Sequence, residues 1–155
     1  MSSHPHTTPL PVFSSTDETT EWFEPLPGER MRVRIGSEAT GGRLTLLENI
    51  VAPGAAAPMH FHYDADELFI VLAGRFRLTT ATQQIDAGPG SAIFAPRGAA
   101  HAFVNAGTVE ARLLSVFVPG GMEAMFKEAS KARPDEILAL AARHRTVLVG
   151  VPFPD

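Results

Sequence analysis

The sequence predicts an all-β fold, a sandwich or barrel of short strands that ends in one or two C-terminal α-helices. Three observations carry this. From Arg30 to Val118 short apolar runs are punctuated by Gly and Pro. The pair His60 and His62, one residue apart, is followed by the branched and aromatic run Leu68-Phe69-Ile70-Val71-Leu72. After Pro119-Gly120-Gly121 the composition changes to residues at helical spacing.

Residues 1–20 are rich in Ser, Thr, Pro and His and lack apolar periodicity, which predicts a mobile arm or an extension that follows a sheet edge. His4 and His6 lie there as solvated tail residues. Trp22 and Phe23 are expected to pack onto the barrel or onto a partner subunit. The apolar runs predict strands at Met31 to Ile35, Arg43 to Val51, Leu68 to Leu72, Phe76 to Thr80, Ser91 to Ala95, Ala102 to Asn105 and Ala111 to Val118, with further extended chain around His60. Seven or more strands joined by tight turns predict a sandwich or barrel over residues 21–119. Residues 120–155 read as a helical extension packed on it. One helix falls on Met122 to Ala129. A second begins at Pro134, where the fixed φ of proline suits a first helical position, with Asp135 and Glu136 at the positive helix start and Arg143 and His144 at its end. Met122, Met125, Phe126, Ile137, Leu138 and Ala141 fall at helical spacing and are expected to pack on the barrel rather than line a ligand site.

Composition narrows the function classes. The chain has 155 residues, 45% of them hydrophobic, enough for one domain with its own core. A net charge of −4 with scattered basic residues argues against nucleic acid or anionic lipid as a partner. Cysteine is absent, which excludes disulfides and thiolate metal sites. The start of the chain has no basic and apolar leader pattern and no run reaches membrane-spanning length, so a cytosolic protein is expected.

The chemistry concentrates in four residues. Side chains alternate along a strand, so His60 and His62 share one face, whereas a helix would splay them about 200° apart. Pro58 upstream favours extended chain. Glu67 opens the next strand across a turn carrying Asp64 and Asp66, and His101 follows about forty residues after the pair. Three imidazoles and one carboxylate form a donor set of borderline hardness, suited to one divalent transition ion: Fe, Ni, Co, Mn or Zn. Such a set leaves up to two octahedral positions open to water, substrate or dioxygen. Glu67 has two conceivable roles, as a ligand and, if detached, as a general base for a bound hydroxyl. By alternation Phe69 and Val71 share its face and, with Phe103, are the expected apolar wall of a substrate pocket. Gly54, Gly74, Gly90 and Gly98 are expected in turns, and Asn105 is expected as a turn residue outside the metal set. Arg75 and Arg77 could meet a substrate carboxylate, but alternating Arg on a strand reads first as its solvated face.

With these residues the chain resembles the cupin family of small jelly-roll barrels. The first cupin motif is a Gly, five residues, His-x-His, three or four residues, Glu, six residues, Gly; Gly54, His60, His62, Glu67 and Gly74 fit it. The second is a Gly, five residues, Pro-x-Gly, two residues, His, three residues, Asn; Gly90, Pro96, Gly98, His101 and Asn105 fit it, after a 15-residue spacer. The resemblance implies a cupin double-stranded β-helix with His60, His62, Glu67 and His101 as metal ligands. More loosely, Thr40-Gly41-Gly42-Arg43 and Pro119-Gly120-Gly121-Met122-Glu123 resemble one-domain bacterial cupins described as quercetin dioxygenase-like. That resemblance implies a metal-dependent dioxygenase acting on a small hydroxylated or enolisable substrate, with Glu67 catalytic; the likeness to small cupins in general, which commonly pair through their sheets, implies a homodimer. A non-catalytic metal-containing binding module and a cupin isomerase or lyase remain the alternatives.

Overall fold

The computed structural model describes residues 8–150. Among the described residues eleven strands form two antiparallel sheets. In chain order they are β1 (Phe23–Leu26), β2 (Glu29–Ile35), β3 (Thr45–Val51), β4 (Ala56–His62), β5 (Asp66–Ala73), β6 (Phe76–Thr80), β7 (Gln84–Ala87), β8 (Ala92–Ala95), β9 (His101–Asn105), β10 (Ala111–Val118) and β11 (Thr146–Leu148). The first sheet has the order β1-β2-β3-β10-β5-β8 and the second β11-β4-β9-β6-β7. Helices α1 (Met122–Ala129) and α2 (Ile137–Arg143) stand between β10 and β11, with the 3-10 turn Pro134–Glu136 leading into α2. From β3 onward the chain passes from one sheet to the other at every step except the β6–β7 hairpin, the pattern of a jelly roll.

Alternation decides what each sheet buries. Along β10, Ala111, Leu113, Ser115 and Phe117 point inward; along β5, Glu67, Phe69 and Val71 do the same. One apolar cluster, with Phe69, Val71, Phe76, Leu78, Phe103 and Leu113, fills the interior between the sheets. A second joins Met31, Leu47 and Phe117 to Met122, Met125 and Leu140 of the helices. The helices therefore close one end of the barrel.

Gly74 shows why one motif position needs glycine. It ends β5 with φ +80°, and a Cβ there would stand 2.5 Å from the Cβ of Ala111. Asn105 is the expected turn residue: its Nδ2 donates to Val51 O at 2.9 Å and Val109 O at 2.8 Å, while its Oδ1 accepts from Gly107 N.

On the outer face of the first sheet a buried charge cluster holds the preceding segment. Glu48, 2% exposed, accepts from Arg32 at 2.8 Å and Arg34 at 2.9 Å, and pairs with Arg112. Asp17 bonds the same Arg32 and Arg34 and ties the arm to the sheet. The Arg32 guanidinium lies 4.5 Å from the Trp22 ring centroid, so Trp22 packs on this face. His4 and His6 lie outside the described residues.

Candidate metal centre and its cavity

The two sheets each bring part of one site. His60 and His62 lie on β4 and His101 on β9, with His60 directly opposite His101 in the ladder. Glu67 comes from β5 in the facing sheet, where it pairs with Ala95 and Phe117. The four residues come together as the motif spacing predicts. One ligand atom from each lies within 4.8 Å of all the others, and the residues are buried or nearly so.

Each histidine is oriented by a bond on its Nδ1. His60 Nδ1 donates to Pro58 O at 2.6 Å and His101 Nδ1 to Ala99 O at 2.9 Å. A backbone carbonyl only accepts, so both rings carry a proton on Nδ1, and in the neutral ring the Nε2 lone pair is free for a metal. His62 Nδ1 meets Thr146 Oγ1 at 2.8 Å. The Nε2 atoms of His62 and His101 lie 3.3 and 3.0 Å from Glu67 Oε2. Outer bonds that fix ring tautomer and direction are what a metal-ligating imidazole requires.

The electrostatics favour a cation. Burial pushes the Glu67 carboxyl up, but its bonds to His101 and His62 outweigh burial and hold it down at about 2. Burial pulls His60 down to about 4, so this ring is neutral near pH 7. His101 is drawn down by burial and more strongly up by Glu67, and stands above the usual histidine value. An anionic carboxylate beside neutral or displaceable imidazoles fits a divalent transition ion. The residues present could hold one metal ion; which metal is open to all five candidates.

A narrow cavity of about 80 Å³ reaches the cluster at His60 and Glu67. Its walls include Leu26, Met31, Phe103, Met125, Phe126 and Leu140. Phe103 lines the cavity as expected from alternation. Phe69 and Val71 do not: they point to the same side as Glu67 but lie deeper along β5, sealed among Phe76, Leu78 and Leu113, with the Phe69 ring 5.6 Å from that of His101. The helical apolar face also departs from expectation. Met125, Phe126, Ile137 and Ala141 line the cavity, because α1 and α2 roof the barrel end where it opens. Arg75 and Arg77 are not among its walls; Arg77 pairs with Asp86 across β6 and β7 on the exposed face.

Four polar residues of the site carry no motif. Thr146 belongs to β11, opposite His62 in the ladder, and supplies that ring's outer bond. Glu29, Asn49 and Ser115 line the cavity from β2, β3 and β10. Asn49 Nδ2 donates to Glu29 Oε1 at 2.7 Å. Burial pushes the Glu29 carboxyl up to about 7, with the Asn49 bond opposing and Glu67 adding to the rise. The signal available in sequence was their inward alternation with apolar neighbours, which marks a buried polar side chain only once the strand's face is known.

The fold is a two-sheet jelly roll with a candidate metal centre, and residues 48–117, a little under half of the chain, match the family model described as a cupin domain. An uncharacterised protein of Methanocaldococcus jannaschii is 29% identical over 79 residues, 51% of this chain and 63% of that protein. The matched part thus covers less than two thirds of this curated relative. Among solved structures, KdgF from Halomonas sp. is similar with a TM-score of 0.65 at 19% identity, over 74% of this chain and 98% of that one. The polyketide cyclase RemF from Streptomyces resistomycificus is similar with a TM-score of 0.60 at 26% identity, over 69% of this chain and 79% of that one.

Proposed function

We propose that this protein is a metal-dependent dioxygenase of small, hydroxylated or enolisable organic substrates. The observation that carries the reading is the placement of the His60, His62, Glu67 and His101 donor set at the end of a cavity whose walls are mainly apolar. A divalent transition ion held by these four supplies a Lewis acid that favours the ionised form of a substrate hydroxyl. The chain's own residues do the rest. Pro58, Ala99 and Thr146 keep the three rings directed at one point. Phe103, Met125 and Phe126 give an aromatic or aliphatic framework a dry wall and exclude water from the reacting carbon. Glu67 holds the cation; it becomes a useful base only when released from His101 and His62, because those bonds keep its proton affinity low. The quercetin dioxygenase-like resemblance of the flanking segments supports oxygen as co-substrate.

A second reading, cyclisation or isomerisation of a polyketone without oxygen, is favoured by the 26% identity to a polyketide cyclase. Both readings ask the site to bind an enol. The test is oxygen uptake by protein loaded with each of the five metals against flavonols, catechols and β-diketones, repeated under strict anaerobiosis. Oxygen consumed in step with substrate supports the dioxygenase. Turnover that persists without oxygen replaces it with the second reading, and binding without product replaces both with a binding module.

A further inference from the structure

Asn49 is 1% exposed, lines the cavity, and keeps its Oδ1 without a hydrogen-bond partner. A buried acceptor left unmet is costly and rare in folded chains, so one retained in a cavity wall needs a reason. Its Nδ2 is engaged by Glu29 Oε1 at 2.7 Å, and because that carboxyl oxygen accepts, the amide presents its NH2 to Glu29 and its carbonyl oxygen elsewhere. Glu29 is itself 2% exposed and is the wall residue next to it on β2. Among the described residues no Lys or Arg lines this cavity, while Glu29 and Glu67 both do. A phosphate or carboxylate would therefore meet no basic side chain here, and a neutral hydroxyl donor is the complement of the free oxygen.

We propose that Asn49, oriented by Glu29, is a second polar anchor of the cavity, accepting a hydrogen bond from a substrate hydroxyl other than the one that meets the four-residue cluster. The favoured substrate class is a neutral enol on an apolar framework that carries one further hydroxyl. This rests on the enol-binding reading above. Asn49 sets specificity and Glu29 is a positioning residue, since it acts through the Asn49 amide.

The probes are kojic acid and allomaltol, hydroxypyranones that share one chelating edge and differ by a single hydroxyl on the opposite edge. Their affinities are measured by calorimetry on zinc-loaded protein, which removes oxygen chemistry from the readout. Wild type is expected to bind kojic acid about fivefold or more tightly than allomaltol. Asn49→Leu is expected to bring that ratio to about one while leaving allomaltol affinity within about twofold, the pattern of a lost single hydrogen bond. Glu29→Leu, which frees the amide to turn, is expected to lower the ratio in the same way. Asn49→Ala removes the acceptor without added bulk and serves if Asn49→Leu does not fold. Both ligands binding wild type equally well overturns the anchor alone, as does a preference for kojic acid that survives in the Asn49 variants. Neither ligand binding wild type overturns the enol-binding reading and the anchor with it.

Discussion

Replacing Thr146 by Val removes one oxygen from the site's outer shell and little else. The hydroxyl lies 2.8 Å from His62 Nδ1, and the two residues are each 3% exposed, so water cannot take its place. Valine keeps the branched shape that suits β11, and the Thr146–His62 ladder pairing is made by backbone. A buried N–H left without a partner costs about 1–3 kcal/mol. That N–H stands on Nδ1 when a metal takes the Nε2 lone pair; His62 escapes the cost only by keeping its proton on Nε2, facing Glu67 Oε2, where it competes with the metal. Either outcome lowers metal affinity, and loss of an outer-shell partner corresponds to about 10–100-fold. The assay is competition against a chromophoric chelator, with Thr146→Ser as the control that retains the hydroxyl. A Thr146→Val protein that melts like wild type and binds metal within about twofold of it would refute the argument, since the expected loss is at least about tenfold.

Glu48→Gln leaves Arg32, 4% exposed, without its buried carboxylate; Asp17 remains as a partial partner, and the loss expected in urea unfolding is near the lower end of about 3–5 kcal/mol. An unchanged midpoint would show that the cluster contributes nothing. Glu29 acts in the opposite direction with pH: its folded value of about 7 lies above the usual 4.5, so stability present below pH 4.5 is lost as pH rises through 7. Glu29→Gln should relieve that loss, making the metal-free variant more stable than wild type by about 3 kcal/mol at pH 8 and equal to it near pH 4; a difference that does not change with pH contradicts this. In the metal-free protein Glu67 raises the proton affinity of His101, so metal binding near neutral pH should release protons, read as a dependence of binding heat on the buffer's ionisation enthalpy. Heat independent of buffer would mean that the displaced proton is not there.

The metal candidates were legible because both ends of the cluster sit in short-range patterns: His60 and His62 at a two-residue step on one strand, and Glu67 and His101 at strand starts behind turns. The strands missed in sequence are the short ones. β1 carries Pro25 on a sheet edge, β7 is a four-residue strand with only its last residue buried, and β11 is three residues long and follows a helix. Missing β11 also hid Thr146, whose role depends on pairing across the whole domain with His62. Alternation placed Phe69, Val71 and Phe103 on inward faces correctly, but depth along the barrel is set by which end the helices roof, and only Phe103 reaches the cavity beneath them. For the same reason Met125 and Phe126 read as packing residues and turned out to be packing and cavity wall together. Glu29 and Asn49 gave no local signal, since their meeting depends on the register of β2 against β3.

The most direct test of the account is the metal content of freshly purified protein by inductively coupled plasma mass spectrometry, beside a His101→Ala variant. The account predicts about one divalent transition ion per chain in wild type and its loss in the variant. Absence of metal from both, persisting after loading with iron, nickel, cobalt, manganese or zinc, would contradict it.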